Sequence, residues 1–435
     1  MKRNLIIVFF QLLVLTGWSQ SPWSLEQCLD SALVNNLGLK RANLEVENAQ
    51  LGLQQAQFNF TPDVNVFAGQ SFSAGRNLDP ISNTFTQTNR QNSNFNLSGN
   101  LVLFNGMARY YMLKKNELMI ENQFYNRIVL IRNLKMEIIT SYLQALLSYE
   151  LWKIAKGHLQ YTQAEYDRMV AFVEVELKSS REVLAIETQR AKDELILLRA
   201  QNDFKLANQK LNQLMQVENQ TLFHVDTSYN FLFTDSSVFI QVNKLPEIKQ
   251  KERAIEQAEY DVKIASSAYF PILSVGAGLG SGYSNSYFLT DPTSGLSYVP
   301  NFQSQLTQNM YQNLTFTLTM PIYNQHQTKF NQTQKEMEVK KAQLEREQLE
   351  LDVRATISNL RFDLENSELE LNSAMKLNEL AQLDFEQAEE QYKAGVINYI
   401  ILLDKKDRLF AAQSNVVQSK YNYYFKRKLL QLYHE

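Results

Sequence analysis

Few side chains in this 435-residue sequence are placed to do bond-making chemistry. Four histidines, His158, His224, His326 and His434, are scattered with no metal-ligand spacing among them. The one cysteine, Cys28, leaves no disulfide to hold the fold. No nucleophile elbow, phosphate loop or dinucleotide fingerprint is present. The many Asp and Glu residues lie in helical stretches, where they read as solvated faces with i,i+4 partners. The sequence therefore makes no case for an enzyme, a metal centre or a cofactor. A net charge of −3 with no sustained basic run argues against a nucleic-acid partner. The function has to come from architecture.

The residues with purposeful spacing are prolines. In Ala56-Gln-Phe-Asn-Phe-Thr-Pro62-Asp-Val-Asn-Val-Phe-Ala-Gly69 a helical pattern runs into Pro62 and leaves it as a strand. The same change recurs around Pro271: Ala56, Pro62, Val66, Ala68 and Gly69 match Ala265, Pro271, Val275, Ala277 and Gly278 at one offset. Proline cannot continue a helix and pushes the preceding residue into extended backbone, so each is a switch of period from 3.6 to 2. A chain that switches twice at matching places is built from two halves.

Around these junctions the elements follow. Residues 1–19 read as a secretory signal peptide, with a basic start, an apolar run from Leu5 to Leu15 and small residues at Gly17 and Ser19. Leucine stands three residues before Cys28, as in lipoprotein signals, but Glu26 and Gln27 are bulky there, so Cys28 reads as a buried helix residue. The first repeat covers 20–215, a linking segment with short strands at Leu222–Val225, Phe231–Phe233 and Val238–Ile240 covers 216–244, and the second repeat covers 245–435. Ser24-Leu-Glu-Gln27 is a capping box, and its helix is expected to run through Leu33, Leu37, Leu44 and Leu51 to Pro62. Strand pairs are expected at about 63–104 and 272–321, each strand about ten residues, joined by polar loops over 73–93 and 284–310. Phe95, Leu97, Leu101 and Leu103 alternate with Asn94, Asn96, Ser98 and Asn100, and Leu314, Phe316 and Leu318 with Thr315 and Thr317. That pattern suits tilted strands with lipid on one face and water on the other, and equally a soluble half-buried sheet.

The rest is long helix. From Met107 to about Val173 the pattern holds for roughly 65 residues, roughly 100 Å at 1.5 Å per residue. From Lys329 a stripe runs through Ile357, Leu360, Leu364, Ser367, Leu371, Ala374, Asn378, Ala381, Phe385 and Ala388, suited to knobs-into-holes packing. A turn falls at Gly395, which can take the left-handed conformation that ends a helix. In the first half the corresponding region has no glycine, and Ser179-Ser180 is the candidate helix start. Four spanning strands cannot close a barrel, and an open edge in lipid is costly, so strands in a membrane require shared closure: two copies give eight strands, three give twelve.

In this order and duplication the chain resembles the TolC-like outer membrane efflux protein family over nearly its whole mature length. The resemblance rests on Ser24-Leu-Glu-Gln-Cys-Leu-Asp-Ser-Ala-Leu-Val-Asn-Asn36, both helix-Pro-strand junctions, Leu103-Phe-Asn-Gly106 and Pro321-Ile-Tyr-Asn324, and Tyr392-x-x-Gly395 followed by Leu402-Leu-Asp404. It implies an α+β fold, a long antiparallel helical tunnel continuous with a shared transmembrane β-barrel, four strands from each chain of a homotrimer. It implies a passive outer-membrane exit duct with its tunnel in the periplasm. Its partners would be outer-membrane lipid, a periplasmic adaptor protein and an inner-membrane transporter of the RND or ABC type. Cargo would be drugs, toxic compounds or metals; protein secretion with an ABC exporter, or a soluble periplasmic coiled-coil scaffold, are the alternatives. The resemblance places a periplasmic gate at Tyr392, Gly395 and Asp404, where Asp404 either faces the lumen and attracts cations or is a solvated surface residue beside Lys405 and Lys406. Ile397 and Ile401 stand where the family's gate has an arginine and a first aspartate.

Overall fold

A computed structural model describes residues 23–78, 83–176, 179–216 and 240–433. The expected signal peptide and the short strands expected between 222 and 239 lie outside the described residues. In chain order the elements are helices α1 (Leu25–Asn35) and α2 (Leu37–Phe58), strands β1 (Asp63–Leu78) and β2 (Phe85–Asn105), and helices α3 (Ala108–Glu174) and α4 (Ser180–Met215). After these come α5 (Pro246–Ser266), β3 (Ile272–Ser284), β4 (Leu289–Thr290), β5 (Ser297–Tyr298), α6 (Phe302–Gln308), β6 (Tyr311–Thr319), α7 (Gln327–Lys393) and α8 (Tyr399–Leu432). Among the described residues, no helix is long and apolar enough to cross a membrane.

The chain divides into two compact units. One comprises residues 45–124 and 249–347: the sheet and the helical stretches that flank it. The sheet has the order β1-β2-β3-β6, all neighbours antiparallel. In this unit the helices follow the same order. Asn116 of α3 lies against Gly52 of α2. Between α3 and α5, Lys115 pairs with Asp261 at 2.6 Å and Arg253 with Glu121 at 2.9 Å. Between α5 and α7, Lys251 pairs with Glu345 at 2.8 Å and Arg346 with Glu252 at 3.6 Å. So α2 and β1 form one lateral edge of the unit, and α7 and β6 the other.

The second unit comprises residues up to 44, 125–248 and from 348 onward. Its main core joins α1, α3, α4 and α8 through Leu25, Cys28, Ala32, Ile138, Tyr142, Leu146, Leu211, Met215 and Tyr421. Cys28 is fully buried there, and burial pushes its thiol up to about 12, the behaviour of an inert core cysteine. Ser24 forms both halves of the expected capping box with Gln27.

Three expectations change. The first helix does not run unbroken to Pro62: Asn36 is extended, and its side chain accepts from the Leu39 N–H, so α2 starts afresh. Asparagine offers the backbone a local partner that competes with the helix. Second, the strands β1 and β2 are 16 and 21 residues long, so most of the expected 73–93 loop is paired strand, from Ser73↔Arg90 to Leu78↔Phe85. Backbone pairing continues past the lipid-matched length because polar side chains can stand in water on both faces. Third, the 284–310 connection is folded, with the β4–β5 ladder and α6.

The leucines Leu37, Leu44 and Leu51 also do not face the core. They and Phe58, spaced by heptads, are 65, 62, 61 and 70 % exposed, while Leu39, Ala42, Ala49 and Ala56 are the buried face of α2. On α7, Phe330, Met337, Leu344 and Leu351 repeat the heptad and are each more than half exposed. Further along α7 the stripe from Ile357 to Ala388 is the inward one, with Ile357, Ser367, Ala374 and Ala388 buried. Small residues inside let helices approach closely and leave the large ones outside.

Candidate functional site

The sheet has two chemically distinct faces. Directly paired residues share a face, and the register Leu97↔Leu279, Leu101↔Val275, Val275↔Phe316 and Ala277↔Leu314 makes one face apolar. The other face pairs Asn96↔Gly280, Ser98↔Gly278, Asn100↔Gly276 and Gly276↔Thr315. The glycines have a steric reason. Tyr311 and Asn313 fold over β3, and a Cβ on Gly280 or Gly278 would overlap them. The polar face is thus mostly amides and hydroxyls able to hydrogen-bond water or a hydrated solute, with Asp63 (paired with Asn100), Arg90 (paired with Ser73) and Phe67 (paired with Asn96) also on it.

At both helix–strand junctions the expected proline sits between helix and strand. In the first, α2 ends at Phe58, a short turn follows, and β1 starts after Pro62. In the second, α5 passes through a 3-10 turn at Ser267–Tyr269 before Pro271 and β3. Ala56 and Ala265, matched in sequence, are both buried. The returns from strand to helix also match: Gly106 and Met107 have φ 65° and 69°, and Gln325 and His326 have φ 55° and 60°. Gly106 is also crowded. A Cβ there would strike the Ser267 carbonyl and Phe270, the second junction. Gly106→Ala is therefore expected to cost about 3 kcal/mol from strain plus overlap. Gln325→Gly, at the matching place, should leave stability unchanged or raise it. Thermal melts of the two variants followed by circular dichroism check the contrast.

The turn between α7 and α8 ends α7 as expected. Gly395 has φ 77°, its N–H donates to the Tyr392 carbonyl at 3.0 Å, and the Val396 N–H donates to the Gln391 carbonyl at 2.9 Å. Asn398 caps α8 by accepting from the Ile401 N–H. Tyr392 is half-buried, its ring 6.0 Å from that of Tyr399, in a cluster with Met169, Ile186, Ala388 and Leu402. Burial raises its hydroxyl above the ordinary range, with Glu165 and Glu182 adding to the shift. Ile397 joins this cluster. Asp404 is half-exposed and pairs with Arg408 on its own helix at 3.0 Å. At the first-half turn Ser179 caps α4, accepting from the Arg181 N–H, and Glu176 takes a left-handed φ of 58° where the second half has glycine. Val175, Val396 and Ile400 are exposed at these turns.

A polar cluster buried among α3, α4 and α8 was not anticipated. Asp193 of α4 is nearly inaccessible. Its carboxylate accepts from the Thr162 hydroxyl and from Gln189 Nε2 at 2.9 Å, with His158 Nδ1 at 3.1 Å. Lys406 of α8 reaches in: its Nζ donates to Thr162 Oγ1 at 2.5 Å and to the His158 carbonyl at 3.3 Å, lies 3.9 Å from Asp193, and stands 4.5 Å over the Tyr161 ring. Asp407 lies 3.6 Å from His158 Nε2 and accepts from Gln189 at 3.3 Å. Burial pushes the Lys406 amine down to about 8 against the pull of Asp193, Asp407 and Glu165. Burial also acts on Asp193, but His158 and Thr162 outweigh it and hold its carboxyl below the ordinary range. Lys406, two residues from Asp404, is thus a cation that ties α8 to α3 and α4. No group of residues able to hold a metal ion occurs among the described residues.

This geometry can be set beside known proteins. The family model described as "Outer membrane efflux protein" matches residues 28–216 and 243–433. A probable outer membrane lipoprotein, SilC of Salmonella typhimurium, is 23% identical over 94% of this chain and 85% of its own. The cation efflux system protein CusC of Escherichia coli K12 is 24% identical over 90% of this chain and 82% of its own. The crystal structure of the Campylobacter jejuni CmeC outer membrane channel superposes with a TM-score of 0.79 at 16% identity, covering 94% of this chain and 85% of that one.

Proposed function

We infer how this chain works from one premise: it belongs to the outer membrane efflux protein family and is an outer-membrane efflux channel. The observation that carries the mechanism is the coincidence of edges. In one unit the sheet and the helical layer both end on the same two sides, β1 with α2 and β6 with α7. Both edge strands have unpaired backbone groups within this chain, and both edge helices carry exposed apolar heptads. A head-to-tail ring satisfies both layers at once, each copy's first edge meeting the next copy's last. We assign three copies, giving a twelve-stranded barrel with the apolar face in lipid and the Asn, Thr and Gly face toward the lumen.

The duct is passive, and the energy comes from an inner-membrane pump of the RND or ABC type through a periplasmic adaptor. CusC carries the name of a cation efflux system, and on that likeness the cargo we assign is metal cations or small toxic compounds such as drugs. The turns bearing Gly395, Val175, Val396 and Ile400 offer the adaptor an apolar surface. Tyr392 closes the gate by packing, and Asp404, half-neutralised by Arg408, contributes a weakened acidic ring. The test is the mature protein in mild detergent and in planar bilayers. The mass of three chains and stable single-channel conductance are expected; a silent monomer would overturn the reading. Cysteines at 396 and 400 should crosslink to the adaptor, and no adduct at any tip position would sink the docking assignment.

A further inference from the structure

The 26 residues between β3 and β6 form a folded segment that carries the β4–β5 ladder and α6. It packs on the apolar face. Phe302 of α6 lies edge-on to Phe95 at 6.3 Å and against Tyr283 at 5.3 Å. Phe95 is directly paired with Ser281, on the same face as Leu97 and Leu279. The Ser281 hydroxyl donates to the Leu306 carbonyl at 2.6 Å. Gln305, fully buried, locks the base of the segment by accepting from the Ser284 N–H and donating to the Ser284 and Pro300 carbonyls, each at 2.9 Å. Asn309 donates to the Gly282 carbonyl at 2.8 Å. Below it, Met310, Val66, Leu97 and Leu279 line an apolar cleft of about 230 Å³.

The segment's own surface mixes large apolar side chains with uncharged polar ones such as Thr293, Ser294, Ser297, Gln303 and Gln308. Tyr287, Phe288, Leu296, Tyr298, Phe302 and Met310 are exposed. Its single charge, Asp291, is held within its own turn, accepting from the Thr293 N–H at 2.9 Å and the Ser294 hydroxyl at 2.7 Å. A segment over a water-filled mouth gains nothing from exposed Leu and Phe. One lying against the outside of the wall, at the level where acyl chains meet headgroups, places its tyrosines and its Thr290–Gly295 turn toward water and its leucines in lipid.

We propose that residues 285–310 form a collar on the lipid-facing wall of the barrel, in contact with the acyl chains of the outer leaflet, and do not cover the channel mouth. This rests on the barrel reading above, in which the apolar face is the lipid face. The test places nitroxide labels on single cysteines at Leu296 and Met310 in protein reconstituted into phosphatidylethanolamine and phosphatidylglycerol vesicles. Controls at Leu314 and Thr315 report the two faces of β6; native Cys28 is buried and unreactive. Labels at 296 and 310 should relax faster with oxygen than with an aqueous nickel chelate, as at 314 and opposite to 315. Nickel-accessible labels at 296 and 310 with the controls as expected would overturn the collar alone. Reversed controls would overturn the barrel assignment instead. Replacing 286–308 by a short turn should leave single-channel conductance unchanged; a clear rise would place the segment in the mouth and sink the proposal.

Discussion

Asp193→Ala should be among the most damaging single substitutions in the chain, lowering stability by about 3–5 kcal/mol, the cost of stranding a buried charge. The alanine removes the anion on which Thr162, Gln189, His158 and Lys406 converge. Lys406 then keeps the Thr162 hydroxyl, the His158 carbonyl, the Tyr161 face and the weaker pull of Asp407 and Glu165 while remaining buried. Lys406→Met alone should cost less, because Asp193 retains three neutral or histidine partners. The double variant Asp193→Leu/Lys406→Met should recover most of the loss, since well-packed apolar pairs replace buried ion pairs at little cost. Helical melts of the four proteins form a double-mutant cycle. A double variant as unstable as Asp193→Ala would show that the cluster is not held by charge balance.

The same cluster sets a pH dependence. The unfolded chain holds the Lys406 proton up to about 10.4, while the folded amine releases it near 8. Between those values the unfolded state binds more protons, so this lysine's contribution to stability rises with pH across that window. Lys406→Met should erase the rise. Asp193 acts on the acid side: its folded carboxyl is held low, so its contribution is present above the ordinary carboxylate range and is lost as pH falls through the folded value. Asp407, raised by burial, has the opposite slope just above the ordinary carboxylate range, and so does not mask the alkaline effect.

Much of the fold was legible because its signals are local. A proline between two periodicities marks each junction, and alternation marks each strand face, since both depend only on neighbouring residues. The buried cluster was not legible. His158, Thr162, Asp193 and Lys406 are far apart in the chain with no shared spacing, and only tertiary packing brings them together. The hairpin's extra length was hidden too, because polar residues pair through the backbone with no apolar face to announce it. Which face α2 buries was not legible either. A helical stripe of leucines and one of alanines have the same period, and size suggests the leucines as the core. The chain buries the alanines and leaves Leu37, Leu44, Leu51 and Phe58 outside. Periodicity says that a face is covered, but not by which chain.

That ambiguity becomes a test of assembly. If α2 and α7 are the two edges of a ring, burying each large side chain contributes on the order of 1.5–3 kcal/mol, so the heptads dominate closure. Leu51→Glu combined with Leu344→Glu puts two carboxylates per chain on faces that must become dry. The expected result is complete loss of the oligomer: monomer by light scattering, no bilayer conductance, and no protein in the outer membrane. Helical content should persist, because Ala49 and Ala56, the inward face of α2, are untouched. The head-to-tail geometry is tested by giving the two edges opposite charges. In Leu51→Glu/Leu344→Lys each glutamate approaches a lysine of the next copy, and part of the assembly should return, in a salt-sensitive manner. An oligomer that survives the double glutamate would mean that these leucines face something other than a second copy, and the shared-barrel mechanism would fall with them.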